Sequence, residues 1–150
     1  MVRLVDATEK DLPLMMAWRS NPLVYQGFYQ QDSPLVWEGH VQWFRERPSS
    51  WRSFIILYDE RPVGGLNIGQ LEYWEPEIGV YIGEVTLWGK GIAKEAVELG
   101  CGIIRAMGNS YTRTTILNSN KGSIRLFESL GYYKVGKARP GESLFRRALV

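Results

Sequence analysis

The spacing of apolar and polar residues changes several times along the chain. Val2-Arg3-Leu4-Val5 alternates and predicts a short opening strand. From about Glu9 to Arg19 a helix would bury Leu12, Met15 and Met16, and Thr8 with Asp11 three residues on resembles a capping box with Asp in the usual Glu place. Asn21 to Asp32 has no regular period and carries Tyr25, Phe28 and Tyr29 as anchors. Ser33-Pro34 then offers an N-cap and a first helical position for a helix with Trp37, Val41 and Phe44 on its buried side, stopped by Pro48. Phe54 to Tyr58, Pro62 to Leu71 and Glu77 to Gly83 read as three strands, with Asp59-Glu60-Arg61-Pro62 as a turn and Ile78, Val80 and Ile82 on one face.

The second half is more regular. Ile92, Ala93, Ala96, Val97, Gly100, Ile104 and Met107 form one stripe of a long helix that Gly108-Asn109 ends. Tyr111 to Leu117 is a strand, Asn118-Ser119-Asn120 caps a helix that buries Ile124, Phe127 and Leu130, and Gly131 ends it. Tyr132 to Val135 and Leu144 to Leu149 are closing strands. The predicted order, β-α-α-β-β-β-α-β-α-β-β, is that of an α+β sandwich: a mixed, mostly antiparallel sheet with a βαβ crossover.

Composition narrows the classes. With 150 residues the expectation is a single domain spanning 1–150, and 45% hydrophobic with 23% charged residues is ordinary for a globular protein. The net charge of +2 is too small to imply nucleic acid. One Cys excludes an internal disulfide, and one Cys with one His makes a structural zinc site unexpected, so no metal is predicted. No stretch is apolar enough to span a membrane and Met1 to Lys10 does not read as a signal peptide, which makes a cytoplasmic protein the expectation. The unusual quantity is the aromatic share of 13%, with 6 Trp and 8 Tyr: rings in this number fill a thick core or line a pocket.

The candidate chemistry centres on Trp88-Gly89-Lys90-Gly91-Ile92-Ala93, between a strand and the start of the long helix. Unpaired N–H groups and the positive dipole end of a helix, approached through glycines, suit a pyrophosphate. Neither the Walker A nor the Rossmann glycine pattern is present. A second segment, Asn120-x-x-Ser123-x-x-Leu126-Phe127-x-x-x-Gly131-Tyr132, follows it.

Together the segments resemble the two cofactor motifs of the GNAT N-acetyltransferase superfamily, R/Q-x-x-G-x-G/A and N-x-x-A/S-x-x-L-Y-x-x-x-G-F, in the same order and at similar separation. The resemblance implies helices on both faces of the sheet and acetyl-CoA as co-substrate. The cofactor's arm would lie between two splayed parallel strands, held by the backbone of Tyr81, Ile82 and Gly83. Its pyrophosphate would sit on the amides of Gly89, Lys90, Gly91, Ile92, Ala93 and Lys94. Asn120 falls where the family has an Asn near the arm, and Phe127 where it commonly has Tyr. Trp88 stands at the start of the first motif in place of the usual Arg or Gln, which resembles the branch holding ribosomal-protein serine- and leucine-type Nα-acetyltransferases and nucleotide-sugar amine acetyltransferases. Phe127 has no hydroxyl proton for the leaving thiolate. Thr115 stands where the alanine-type ribosomal-protein enzymes have a catalytic Glu, an argument against that subfamily.

Acetyl transfer to an amine needs a proton acceptor and an oxyanion stabiliser. Glu77 is the preferred base, with Glu72 and Glu84 as alternatives. Tyr81, Tyr132 and Tyr133 are the available acids. Cys101 reads as packing and His40 as a partly exposed residue. On the acceptor side, Trp18-Arg19-Ser20-Asn21-Pro22 resembles a W-R-x-N stretch of the same branch. Arg19 suits a carboxylate or phosphate, and Tyr25, Phe28 and Tyr29 suit a base or sugar ring. The acceptor predicted from Trp18, Arg19, Tyr25 and Tyr29 is a small-molecule or sugar amine, with a protein N-terminus of the ribosomal-protein type as the alternative. A non-catalytic acyl-CoA sensor and a carbohydrate-binding module are the competing classes. The closing strands leave room for a homodimer.

Overall fold

The computed structural model describes residues 1–29, 31–71 and 75–150; Glu72, one of the alternative bases, lies outside them. The strands are β1 (Val2–Asp6), β2 (Arg52–Tyr58), β3 (Arg61–Gly69), β4 (Glu77–Ile82), β5 (Tyr111–Leu117), β6 (Tyr133–Arg139) and β7 (Glu142–Ala148), and the helices are α1 (Leu12–Arg19), α2 (Pro22–Tyr25), α3 (Trp37–Glu46), α4 (Ile92–Ala106) and α5 (Lys121–Ser129). The strands form one sheet in the order β1-β2-β3-β4-β5-β7-β6. β4 and β5 run parallel and the other neighbours antiparallel, so the crossover through α4 joins the meander β1 to β4 to an antiparallel set in which β7 lies between β5 and β6.

Alternation along β2 sorts the sheet between two cores. Phe54 and Ile56 pack with Leu66, Ile68, Ile78 and the α4 residues Ile92, Ala96, Val97, Cys101 and Ile104, while Phe127 of α5 joins the same cluster. Ile55 turns the other way and packs with Leu12, Met15 and Trp18 of α1 and Phe44 of α3. Period two in the strand and 3.6 in the helices bring these stripes together. The predicted sandwich with helices on both faces is the fold observed.

Several expectations need correction. The first helix divides into a 3-10 turn, Glu9–Asp11, and α1, although the Asp11 carboxylate does accept the Thr8 N–H at 2.8 Å. Asn21 starts a one-turn helix, α2, by accepting the Leu23 N–H at 3.0 Å; one turn is too short to show a period. The chain stays extended to Val36, so α3 begins at Trp37 rather than at Ser33-Pro34. Phe44 and Val41 face the core as predicted, but His40 on the same face is buried at 3% exposure whereas Trp37, at the helix start, is 43% exposed. The long helix and α5 begin and end as predicted, with Gly108 and Gly131 both at φ +92°.

Candidate active site

β4 and β5 are paired only where they begin. Their parallel register contains Glu77 opposite Arg113 and goes no further. Arg113 donates its N–H to the Pro76 carbonyl at 3.0 Å and Thr112 Oγ1 donates to the same oxygen at 2.8 Å. The next rung would send the Thr115 N–H to the Ile78 carbonyl. Instead Thr114 Oγ1 donates to that carbonyl at 2.7 Å. A hydroxyl reaches the acceptor of the next rung, as Thr112 does at Pro76, and here no backbone pairing accompanies it.

The register with β3 shows which groups face the gap. Gly83 donates its N–H to Val63, and Tyr81 and Gly79 stand opposite Gly65 and Asn67. Antiparallel alternation therefore turns the amides of Gly79, Tyr81 and Gly83 towards β3, and those of Ile78, Val80 and Ile82 towards the gap. Of the three positions named from the family motif, only Ile82 presents its backbone there, with Val80 as the residue the motif does not identify. The Ile82 carbonyl accepts Trp88 Nε1 at 2.8 Å.

Gly83 has a different reason to be glycine. A Cβ on it would lie 2.0 Å from the Trp18 ring. Trp18 is buried at 4% exposure, its Nε1 donates to Glu84 Oε1 at 3.0 Å, and its ring meets Tyr81 edge-on at 6.2 Å. The ring expected on the acceptor surface is thus core, and the close approach inferred at Gly83 is made by the chain itself. Glu84 is occupied by the same indole.

At the far end of the gap lies the glycine corner. Gly89 and Gly91 have φ of +81° and +80°, and a Cβ on either would meet nothing within 4 Å. The backbone there needs glycine for its conformation rather than for packing. Gly91 is the N-cap of α4, and no side chain caps it. The first N–H groups of α4, at Ile92, Ala93 and Lys94, therefore have no intrahelical acceptor, and with those of Gly89 and Lys90 they line an exposed corner. Counted back from the two glycines, the motif's first position is Thr86 rather than Trp88. Asn120 caps α5 by accepting the Ser123 N–H at 3.2 Å, and its Nδ2 lies beside Gly27. Phe127 is buried at 2% and meets Tyr132 edge-on at 4.9 Å.

Glu77 sits at the closed end. Burial raises its carboxyl pKa above the usual range, and the nearby Arg113 guanidinium opposes the shift. Gly79, next on the same face, is exposed and has open space where a side chain would stand. Tyr81 follows: its hydroxyl is buried without a partner, and burial pushes it up to about 12. The Tyr132 hydroxyl lies 3.4 Å from Cys101 Sγ inside the main core, and Tyr133 is 47% exposed.

The acceptor residues separate into two sets. Arg19 and Tyr29 line a cavity of about 370 Å³ with Phe28, Gln31 and Asp32, and Arg19 also lines a second of about 290 Å³ with His40 and Trp43. Trp18 and Tyr25 line neither. The Arg19 guanidinium carbon lies 5.1 Å from the Phe28 ring centre and 5.5 Å from that of Trp43. His40, expected to be partly exposed, has its Nε2 3.0 Å from the Leu12 carbonyl and its ring stacked on Trp43 at 5.8 Å. Trp37, His40 and Trp43 recur at three-residue intervals, a pattern that marks this face of α3. Among the described residues no group of His, Cys, Asp and Glu is arranged to hold a metal, and no helix is long and apolar enough to cross a membrane.

The chain is similar to known proteins at every level of comparison. Residues 2–133 match the family model of the GNAT acetyltransferase domain. An uncharacterised protein of Methanocaldococcus jannaschii is 43% identical over 141 residues, covering 92% of this chain; the chain spans 29% of that relative's length. The crystal structure of a domain from the same organism superposes with a TM-score of 0.95 at 41% identity, covering 99% of this chain and 98% of that one. An aminoglycoside acetyltransferase in complex with coenzyme A shares the fold at a TM-score of 0.85 and 17% identity, covering 99% and 95% of the two chains. With the family model spanning nearly the whole chain, the chain belongs to the GNAT acetyltransferase family.

Proposed function

We propose that residues 1–150 act as one acetyltransferase domain. It would move the acetyl group of acetyl-CoA to the primary amine of a small molecule, such as a sugar amine, by direct attack in a ternary complex. The observation that carries this reading is the open edge of β4 running from an uncapped, glycine-lined helix start to a half-buried carboxylate. In this reading the pyrophosphate occupies the N–H groups from Gly89 to Lys94, and the arm runs back along Val80 and Ile82 beside Asn120. The thioester then lies near the Val80 N–H, which is free to receive the oxyanion.

Glu77 takes the proton from the attacking amine, directly or through a water. Its raised pKa brings it closer to the working pH than an ordinary carboxylate, which strengthens it as a base. The amine nitrogen forms a bond to the thioester carbon, the carbon–sulfur bond breaks, and coenzyme A leaves as thiolate. A thiol of pKa about 8.5 yields a thiolate that can depart without a protein acid, which accommodates Phe127 in the position of the family's tyrosine. The lone cysteine, packed in the core, suits a reducing compartment such as the cytoplasm.

The test is thiol release from acetyl-CoA across a panel of amines and peptides, with acetyl-CoA affinity measured by calorimetry. Release with amino sugars or other small amines is the expected result. Failure to bind acetyl-CoA removes the proposal. Tight binding without release on any acceptor replaces it with an acyl-CoA sensor.

A further inference from the structure

Resting on the amine-acetyltransferase reading, we infer that an open strip over Gly79 receives the carbon skeleton carrying the amine, and that Asn67 beside it selects acceptors with a hydroxyl or amide on the carbon next to that amine. The starting observation is a glycine that the fold does not require. Glycine weakens a strand, because it loses more backbone freedom on folding and offers no side chain to pack. Five glycines lie inside strands: Gly64, Gly65 and Gly69 in β3, Gly79 in β4 and Gly136 in β6. A Cβ on Gly65 would come within 2.7 Å of the Tyr81 ring, one on Gly69 within 2.6 Å of the Trp51 ring, and one on Gly64 would meet the Tyr81 backbone. Gly136 lies at a register shift of an outermost strand. Gly79 has none of these reasons. It sits in regular pairing, its φ is not positive, it is exposed, and a Cβ on it would meet nothing within 4 Å. A strand glycine of this kind leaves its space to a group from outside the chain.

The residue opposite is equally out of place. Asn67 pairs with Gly79 on an internal strand, where asparagine is disfavoured. The other four asparagines use their side chains within the chain: Asn21 and Asn120 cap helices, Asn109 donates to the Ile104 carbonyl, and Asn118 accepts from Ser143 Oγ. Asn67 makes no such bond among the described residues. Arg19 Nε is also without an acceptor, but it is shut off from solvent. Asn67 is only half-buried, and water can serve its amide until a ligand replaces it.

The register sets the shape of the strip. Gly65, Asn67 and Gly69 of β3 share a face with Tyr81, Gly79 and Glu77 of β4, the face that carries α1 and α3. The Tyr81 ring covers Gly65 and the Trp51 ring covers Gly69. These covered glycines are about 13 Å apart along the strand, and Asn67 and Gly79 form the floor between them. Asn67 and Glu77 are diagonal neighbours, a relation that sets residues about 7–8 Å apart. With a hydrogen bond of about 2.9 Å at each end, an amine and a hydroxyl on adjacent carbons span that distance. The Asn67 amide has a donor and an acceptor but no charge. It matches a hydroxyl or another amide, offers a second ammonium no counter-charge, and is left unpaired when an alkyl group covers it.

The experiment compares trans-2-aminocyclohexanol with cyclohexylamine, which share a ring and differ by one hydroxyl. Thiol release from acetyl-CoA is measured for the wild-type chain, Asn67→Leu, Gly79→Ala and Gly79→Val. The hydroxyl also lowers the basicity of the amine, so the decisive quantity is the ratio of the two kcat/KM values in wild type against that in Asn67→Leu. That ratio should fall about fivefold or more in the variant, the fold-change of one hydrogen bond. Gly79→Val should lower kcat/KM for both amines by about 100-fold, the loss expected from displacing a reacting group by about 1 Å. Gly79→Ala should fall between. Acetyl-CoA affinity should stay within about twofold in all three, the resolution of a calorimetric comparison on this scale. Melting temperatures should be no lower than wild type, because each new side chain suits a strand better than the residue it replaces.

An unchanged ratio in Asn67→Leu, full activity in Gly79→Val, or a lower melting temperature in Gly79→Ala overturns the inference. Failure of 2-aminocyclohexanol as an acceptor while any other amine is used overturns it and leaves acetyl transfer standing. No release from any amine removes the transferase reading. Calorimetry of 2-aminocyclohexanol into the chain saturated with coenzyme A then decides the strip: binding lost in both Asn67→Leu and Gly79→Val supports it, and any other result overturns it.

Discussion

The glycine corner and the Arg19 cavities both hold donors without acceptors, and they hold them differently. At the corner the donors are backbone N–H groups from Gly89 to Lys94, most of them on exposed residues, with Gly89 and Gly91 contributing no side chain. At Arg19 the donor is a side chain, walled off between Phe28 and Trp43. Water satisfies the first set when no ligand is present, so the corner costs the fold little. The second is poorly reached by water, and its cost is carried by the packing of α1, α3 and the segment after α2. The lesson is that donors open to water can be left unpaired at little cost to the fold, whereas a walled cation has to be supported by the packing around it.

The largest effect should separate the two regions outright. Gly91→Glu places a carboxylate and a side-chain-bearing residue at φ +80° in the corner. Acetyl-CoA affinity should fall by more than about 100-fold, an electrostatic loss of several kcal/mol, while the far-ultraviolet dichroism remains that of a folded chain. Unchanged affinity by calorimetry would move the cradle elsewhere.

Glu77→Gln comes next. Turnover should drop by about 10²- to 10⁴-fold, the usual contribution of a general base, with acetyl-CoA affinity nearly the same. The wild-type rate should rise with pH through a value above the ordinary carboxylate range, since the base works when deprotonated and burial raises its pKa. The linkage has the opposite sign. A raised folded pKa means that the folded state binds the proton more tightly, so the stabilising contribution is complete below the unfolded pKa and is lost as pH rises through the folded one. Urea unfolding at several pH values reads this directly, and in Glu77→Gln that component should vanish.

Thr114→Val tests why the strands part. The isosteric change removes the hydroxyl from the Ile78 carbonyl and should cost about 1–3 kcal/mol for a buried acceptor left unpaired, with weaker acetyl-CoA binding if the ladder closes by one rung. Unaltered stability would mean that the hydroxyl does not hold the gap. Phe127→Tyr should do least for catalysis: turnover rises by less than about twofold, and the melting temperature falls, because the new hydroxyl enters a site only 2% exposed. A large gain would show that a protein acid limits the reaction.

The sequence was most legible where local period and glycine position decide the structure. β5, α4 and α5 follow from alternation, a long stripe and stop glycines, and the corner follows from two glycines ahead of a helix. It was least legible where distant segments decide. Which amides of β4 face the gap depends on pairing with β3, so a motif could mark the strand but not select Val80 over Tyr81. Trp18 looked like a ligand platform because nothing local shows that Gly83, 65 positions later, leaves room for its ring. His40 is buried because α1 packs over the inward face of α3, where the Leu12 carbonyl meets its Nε2. Arg19 was visible as a fork, but the rings against it come from Phe28 and Trp43, 9 and 24 positions later in the chain.

The bond from Trp88 to the Ile82 carbonyl has one further consequence. It ties the exit of β4 to the residue immediately before the corner, across six positions of chain that include a 3-10 turn. The anchoring point for a phosphate and the edge that would guide the rest of the molecule are thereby kept at one separation. In the proposed reading the indole would work as the stop on a ruler, setting how far along β4 the reactive end of a molecule seated at the corner reaches. In that reading a longer acyl group would have to extend past that depth towards Glu77.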